Sequence, residues 1–337
     1  MRKILLVWCL MLVASLGVLG LSQAADAKAL TVYTYDSFVS KWGPGPKVKA
    51  AFEAKCGCTL NLIGLDDAVS ILSRLRLEGV HSKADIALGL DSWMLHEAAA
   101  TGLFAPHGLD LSGLAVPIGW KSPVFAPFDY GYFAFIYDAD KMKTPPISLG
   151  ALVEVPDGPK LLIQDPRTSS PGLGLMLWMK KLYGVEAGAA WVKLAPRIVT
   201  VTKGWSEAYG LFLKGESDMV LSYTTSPAYH MIAEKKSNYR AAAMTDGQYM
   251  QVETAAKLKS AGEPELADQF LRFIVSDAFQ SIIPTGNWMY PVTDIGAALP
   301  AAFGKLIKVS KPLRHTPSEI AENRKAWTAE WRDALSK

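Results

Sequence analysis

Apolar and polar positions along this chain alternate in two rhythms, one of period two and one near 3.6. Residues 30–35 (LTVYTY) read as a strand, and residues 36–46 (DSFVSKWGPGP) as a loop broken by two Gly and two Pro. Residues 47–55 then carry Val48, Ala51 and Phe52 on one helical face. A strand over residues 59–65 (TLNLIGL) leads through Asp66-Asp67-Ala68 into a helix over 69–78, with Ile71, Leu72 and Leu75 inward. A third strand spans residues 84–90 (ADIALGL), where Asp91-Ser92 suits a helix cap. Strand, helix, strand, helix, strand predicts a parallel sheet with crossover helices.

The alternation recurs further on. Residues 124–138 (VFAPFDYGYFAFIYD) are aromatic-rich and extended, and read as a first crossing between two lobes. A strand over 159–164, a loop over 165–172 (DPRTSSPG) and a helix over 173–183 follow. Residues 248–254 read as a second crossing, back to the first lobe. Residues 263–274 form an amphipathic helix with Leu266, Phe270, Leu271 and Ile274 inward, and residues 284–292 (PTGNWMYPV) form a tight loop. Thr316-Pro317-Ser318-Glu319 is a capping box, and Trp327 and Trp331 behind it sit at i, i+4 as packing residues.

One stretch concentrates the chemistry. Within residues 199–230, Gly204-Trp205-Ser206-Glu207 opens a helix, residues 219–223 form a buried strand, and Thr224-Thr225-Ser226-Pro227 follows it. Ser226 suits an N-cap and Pro227 the first helical position. Hydroxyls and free N–H groups then lie at the carboxyl end of a strand beside Trp205, Tyr223 and Tyr229, where open α/β sheets hold small ligands. Phe212 and Tyr209 read as core. Ser169-Ser170-Pro171 repeats the same signature, and the two helix N-termini together suit an anion or polar-group cradle, against plain N-capping. In the first lobe the loops on the carboxyl side of the strands carry Tyr35, Asp36, Trp42, Asp67, Asp91 and Trp93. Tyr35 is the strongest ligand candidate of these, whereas Asp67 and above all Asp91 also suit helix caps.

Composition narrows the class. Arg2 and Lys3, a long apolar run to Leu21, and small residues around Ala24 and Ala27 read as a cleaved export signal over residues 1–27 rather than a membrane anchor. The remaining length suggests two domains, expected as lobe 1 over 28–129 plus 253–337 and lobe 2 over 130–252. The formal charge of +3 falls to +1 without Arg2 and Lys3, or to +2 when Asp26 also goes, and no basic run occurs, which argues against nucleic acid as a partner. After signal removal, Cys56 and Cys58 remain; Cys-Gly-Cys reads as a local disulfide in an oxidising compartment, with a reactive dithiol as the alternative. The five histidines show no paired ligand spacing, and neither a Gly-x-Ser-x-Gly elbow nor a phosphate-binding Gly-x-x-x-x-Gly-Lys loop is present. No catalytic residue, metal site or cofactor is expected.

Several longer segments are more specific: Val32-Tyr33-Thr34-Tyr35-Asp36-Ser37-Phe38, Gln164-Asp165-Pro166-Arg167-Thr168, Thr202 through Tyr209, Ser222 through Tyr229, and Pro284-Thr285-Gly286-Asn287-Trp288. Over essentially the whole mature chain they make it similar to the periplasmic thiamine-binding proteins of bacterial ABC transporters. That resemblance implies an α/β, two-lobed periplasmic binding protein fold, each lobe a mainly parallel sheet flanked by helices, with the ligand cleft between them. It implies thiamine, thiamine monophosphate and thiamine diphosphate as ligands, delivered in the periplasm to an inner-membrane ABC permease with a separate ATPase. It implies ligand contacts at Asp67 with Ala68, Ser169 with Ser170, Trp205, and Tyr223, Thr224, Thr225 and Ser226, with Tyr35, Trp42, Tyr229 and Trp288 as an aromatic surround. The family pattern has glycine after the acidic residue, where this chain has Ala68, so a backbone contact there must leave room for a Cβ.

The expected chemistry matches such a ligand. Aromatic faces hold the aminopyrimidine and the cationic thiazolium, each cation–π contact contributing roughly 0.5–2 kcal/mol. Asp67 pairs with the amino group or balances the cation, and Ser169, Ser170, Thr225 and Ser226 donate to a phosphate. Two alternatives remain open. A ferric-ion or other small-cation binding protein would use Tyr223 and Tyr229 but leave Trp205 and Trp288 without a purpose. A thiamine-degrading transferase of the same fold would need Cys56 or Cys58 as nucleophile, although both sit away from the ligand loops.

Overall fold

The computed structural model describes residues 28–336, so the expected export signal and Cys9 lie outside the described residues. In chain order the strands are β1 (Ala29–Tyr35), β2 (Thr59–Leu65), β3 (Ile86–Asp91), β4 (Phe104–Ala105), β5 (Ala126–Asp138), β6 (Leu161–Gln164), β7 (Ile198–Thr202), β8 (Met219–Tyr223), β9 (Tyr239–Ala241), β10 (Gln248–Leu258), β11 (Tyr290–Pro291) and β12 (Pro312–Leu313). The main path runs β2-β1-β3-β10-β5-β8-β6-β7. β1 pairs parallel with β2 and β3, and β6 pairs parallel with β7 and β8. These two parallel groups are the expected α/β alternation. The two long strands between them, β5 and β10, are antiparallel to each other and to their outer neighbours β8 and β3.

The reason lies in the pattern. β5 and β10 are buried for almost their whole length, as central strands are, although β10 carries Gln248, Gln251, Glu253 and Thr254 among its buried positions. β5 pairs with β10 from Ala126 to Tyr132 and with β8 from Phe133 to Tyr137, so one strand belongs to both groups. The sequence reading ended the second crossing at residue 254; the strand continues to Leu258, where it also pairs with β4.

The helices follow the expected faces. In Ala68–Glu78, Ile71, Leu72 and Leu75 are buried, and in Pro264–Ile274 so are Leu266, Phe270, Leu271 and Ile274. The first long helix begins at Gly45, two residues before its expected start, because Pro44 and Pro46 sit at its N-terminus, where missing N–H groups are tolerated. The helix expected from residue 173 begins at Ser170. Residues 284–292 are not one loop but a turn of helix, Ile283–Gly286, followed by β11. Thr316 Oγ1 accepts from the Glu319 N–H, the expected half of a capping box, at the head of Pro317–Leu335. This last helix straddles both groups: Arg324 pairs with Glu97, while Lys180 pairs with Glu330 at 2.5 Å and the Arg167 guanidinium lies over Trp331. Cys56 and Cys58 form the local disulfide, where Gly57 closes the helix in a left-handed conformation.

Candidate functional site

The carboxyl ends of β1, β8 and the loop before β11 meet at a cavity of about 280 Å³. Eight of the expected residues line it: Tyr35, Trp42, Asp67, Trp205, Tyr223, Ser226, Tyr229 and Trp288. They arrive from elements far apart in sequence, as strand ends of an α/β sheet should. Tyr35 ends β1, and its ring is seated against Gly89 of β3. Gly89 has φ +103°, and a Cβ there would come within 2.5 Å of the Tyr35 ring, so glycine is required on both counts.

The aromatic walls are braced from behind. The Trp205 ring stacks on Tyr209 at 4.9 Å, and its Nε1 donates to Ser222 Oγ at 2.7 Å. Across the opening, Trp42 lies 6.0 Å from Trp205; it is 51% exposed, which leaves its face free for a ligand. Tyr229 meets Trp288 edge to face at 5.2 Å. Trp288 has φ +57°, an unfavourable conformation for a bulky residue, and it is held there by its N–H donating to the Ile283 carbonyl. Tyr209 also lines the cavity, and its hydroxyl is bonded to His230 Nε2 at 2.8 Å, so it serves as wall as well as core, which corrects the sequence reading.

The remaining expected residues, Ala68, Ser169, Ser170, Thr224 and Thr225, are buried behind this lining. Asp67 explains why. Its carboxylate accepts from the Ala68 N–H at 2.9 Å, from Ser169 Oγ at 3.0 Å and from the Ser170 N–H at 3.2 Å. It therefore caps Ala68–Glu78 and also occupies the N-terminus of Ser170–Tyr183, where an anion is favoured. Ala68 is the first residue of its helix, so its Cβ is accommodated without strain. Ser226 is the first residue of a short helix rather than its N-cap; its Oγ bonds to Ser222 Oγ and accepts from the Tyr223 N–H.

Below the aromatic walls lies a group of acids that the sequence reading missed. In the sheet register Glu253 of β10 is the direct partner of Asp91 on β3 and of Asp129 on β5. Three carboxyls thus stand in a row across three adjacent strands. Asp91 and Asp129 are fully buried, and Glu253 reaches the cavity. Glu253 Oε2 accepts from Tyr35 Oη at 2.8 Å and from Asn287 Nδ2 at 3.2 Å, and Oε1 accepts from Gln251 Nε2 at 3.1 Å. Asn287 Nδ2 also donates to Asp129 Oδ2, and Gln251 Nε2 to Asp91 Oδ1. Asp91 makes no side-chain cap bond to the turn that follows it; its other oxygen accepts from Ser170 Oγ at 2.5 Å, so the cap expected at Asp91 is a cross-cleft bond instead.

Burial, with like charges on either side, drives these groups towards their neutral forms. Burial pushes the Glu253 carboxyl up to about 7. Asp91 and Asp129 are held well above the ordinary carboxylate range by burial and by Glu253, and Asp67 is raised by burial against its own hydrogen bonds. No basic side chain is found among the described residues that line the cavity. The arrangement is an aromatic slot over a floor rich in carboxyls, suited to a flat ligand carrying positive charge.

Comparison with known proteins agrees with the fold. Residues 47–293 match the family of bacterial extracellular solute-binding proteins. The thiamine-binding periplasmic protein of Escherichia coli (strain K12) is 60% identical over 308 residues, covering 91% of this chain and 94% of that protein. A solved structure of a periplasmic thiamin binding protein superposes with a TM-score of 0.90 at 59% identity, covering 92% of this chain and 97% of the other. Iron-bound HitA from Pseudomonas aeruginosa, at 23% identity and a TM-score of 0.74 over 91% of this chain and 99% of its own, shares the fold. The chain therefore belongs to the bacterial extracellular solute-binding protein family, within the branch of thiamine-binding periplasmic proteins.

Proposed function

We propose that this protein is a periplasmic receptor that binds thiamine, thiamine monophosphate and thiamine diphosphate and hands them to a membrane permease whose ATPase is a separate protein. The observation that carries this reading is the slot itself: aromatic rings from both parallel groups, carboxyls beneath them, and no basic group among the described lining residues. The relatives at 60% identity named for thiamine binding support it. The thiazolium lies against Trp42 and Trp205, the aminopyrimidine against the Tyr229–Trp288 corner, and Tyr35 and Tyr223 close the base. Asp67 takes the exocyclic amino group. Ser226 and the buried Ser169, Ser170 and Thr225 receive a phosphate tail, which competes with Asp67 for the Ser169 hydroxyl and the Ser170 N–H, and Thr224 lies beside them. Ala68 contributes through its backbone.

We place the lobe boundaries at residues 129–130 and 252–253, inside β5 and β10. Closure about those strands desolvates the ligand and gives the permease a shape to recognise. The cleaved leader over residues 1–27 belongs to this reading. An iron ligand has less support: iron-bound HitA is only 23% identical, and Trp205 and Trp288 of the slot would have no purpose around a hard cation. The transferase reading lacks a nucleophile at the slot, because Cys56 and Cys58 are bonded to each other and neither lines it.

Calorimetric titration of refolded, ligand-free protein with thiamine and its two phosphates tests the proposal. One-to-one binding in the sub-micromolar range, about −8 kcal/mol or better, is expected. A folded sample that binds none of the three overturns it.

A further inference from the structure

We propose that Glu253 is the residue that selects a positively charged ligand ring, and that the row Asp91–Glu253–Asp129 holds a shared proton in the empty protein and releases it when the cation enters. The inference deepens the thiamine reading of the slot and rests on it.

The geometry comes first. Directly paired positions on neighbouring strands bring side chains within about 5 Å, and like charges there repel. Glu253 has such a neighbour on each side, on β3 and on β5. The groups that face the row offer it no positive charge: Tyr35 from β1, Tyr223 from β8, Asp67 and Ser170 from the heads of their helices, Asn287 from the loop before β11, and Gln251 of β10 itself. Asp129 Oδ1 is buried with no hydrogen-bond partner, a costly state for an ionised carboxylate. Three mutually facing carboxyls supplied with only neutral donors cannot all be charged in an empty pocket, so the row retains a proton. The direction of the Glu253 shift, upward through burial, agrees.

Only Glu253 of the three reaches the cavity. A cation resting on the aromatic slot supplies the positive charge that the row lacks. The Glu253 carboxyl then gives its proton to water, and the carboxylate faces the ring. A ligand of the same shape without charge gains nothing from that ionisation. The row thereby discriminates charge, while the aromatic walls and Asp67 read shape and hydrogen bonding.

The test uses the mature protein and two probes: thiamine, and an isosteric analogue whose thiazolium nitrogen is replaced by carbon, leaving the ring uncharged. Titrations near pH 6.5 in two buffers of different ionisation enthalpy count the protons released. The wild type is expected to prefer thiamine at least tenfold, and to release close to one proton with thiamine and none with the neutral analogue. Glu253→Gln is expected to bind the two probes about equally and to release no proton; its binding of the neutral analogue shows that it is folded. Asp129→Asn is expected to keep the preference for charge while releasing less. A wild type that binds thiamine without preference or proton release overturns the inference and leaves the thiamine reading standing, as does Glu253→Gln with its preference intact. A wild type that binds neither probe removes both.

Discussion

Ser169 Oγ donates a 3.0 Å hydrogen bond to the Asp67 carboxylate, joining the loop after β6, next to last in the strand order, to the loop after β2 at its other end. The Ser170 N–H adds a second bond to the same carboxylate, and Ser170 Oγ binds Asp91. The slot is thus closed partly by the groups that the proposed function gives to the ligand.

Asp67→Asn separates these roles. Burial raises the Asp67 carboxyl despite its hydrogen bonds, so the charge gives the empty protein no net stability. Asparagine offers one acceptor oxygen where the carboxylate uses both, so the Ser170 N–H loses its acceptor, and the variant should melt only modestly lower at pH 7. Thiamine affinity should fall about tenfold or more, since a hydrogen bond to a charged partner contributes roughly 1.5–3 kcal/mol. Differential scanning calorimetry and isothermal titration together decide it; a large drop in stability with unchanged affinity would make Asp67 a structural cap alone.

Trp42 and Trp205 should differ in the opposite sense. Trp42 is exposed and braced mainly by Trp205, so Trp42→Ala should change stability by less than about 0.5 kcal/mol while weakening thiamine tenfold or more. Trp205→Ala also removes the stack on Tyr209 and the indole N–H bond to Ser222 Oγ, which keeps its bond to Ser226, and should lose affinity together with about 1–3 kcal/mol of stability. Chemical denaturation and quenching of tryptophan fluorescence by ligand measure both quantities. Unchanged affinity in Trp205→Ala would take that residue out of the site.

What the sequence made legible follows from where the information sits. Trp205, Tyr223 and Ser226 lie together in one stretch whose strand, turn and helix signals are local, so both their positions and their convergence could be read. Glu253 sits within an unbroken extended run, and nothing local distinguishes it from any other strand residue. Its meaning arises from register: Asp91 and Asp129 become its partners only when β3 and β5 pair with β10, more than a hundred residues away along the chain. Asp91 was legible as a cap because Asp-Ser precedes a turn, yet tertiary packing brings Ser170 to it instead. Tyr209 reads as core on helical spacing, and only the placement of Trp205 shows that the same ring also backs the slot.

The Cys56–Cys58 bridge should matter little to binding. It closes a loop of sequence separation 2 at the end of a helix, away from the slot. Loop-entropy reasoning gives so short a closure at most about 1–2 kcal/mol. The double variant Cys56→Ser, Cys58→Ser should therefore melt only a few degrees lower and bind thiamine as the wild type does. A tenfold loss of affinity in a folded double variant would show that the turn between that helix and β2 positions the slot.

The pH dependence of the empty protein carries a definite sign. The Glu253 carboxyl lies at about 7 in the fold against an ordinary value of 4.5, so the folded state binds the proton more tightly than the unfolded chain. Its contribution to stability is fully present below about 4.5 and is lost as pH rises towards 7; Asp91 and Asp129, also raised, act in the same direction. Each such proton changes stability by up to about 1.4 kcal/mol per pH unit within its window. Ligand-free protein should therefore lose stability between about pH 5 and pH 7, the slope lessening in Glu253→Gln. Saturating thiamine should flatten that slope for the liganded state, because the cation favours the ionised form of Glu253 and binds more tightly as pH rises through the same window. Urea unfolding at stepped pH, with and without thiamine, measures both slopes. Parallel slopes for the two states would mean that the row keeps its proton when the ring is bound.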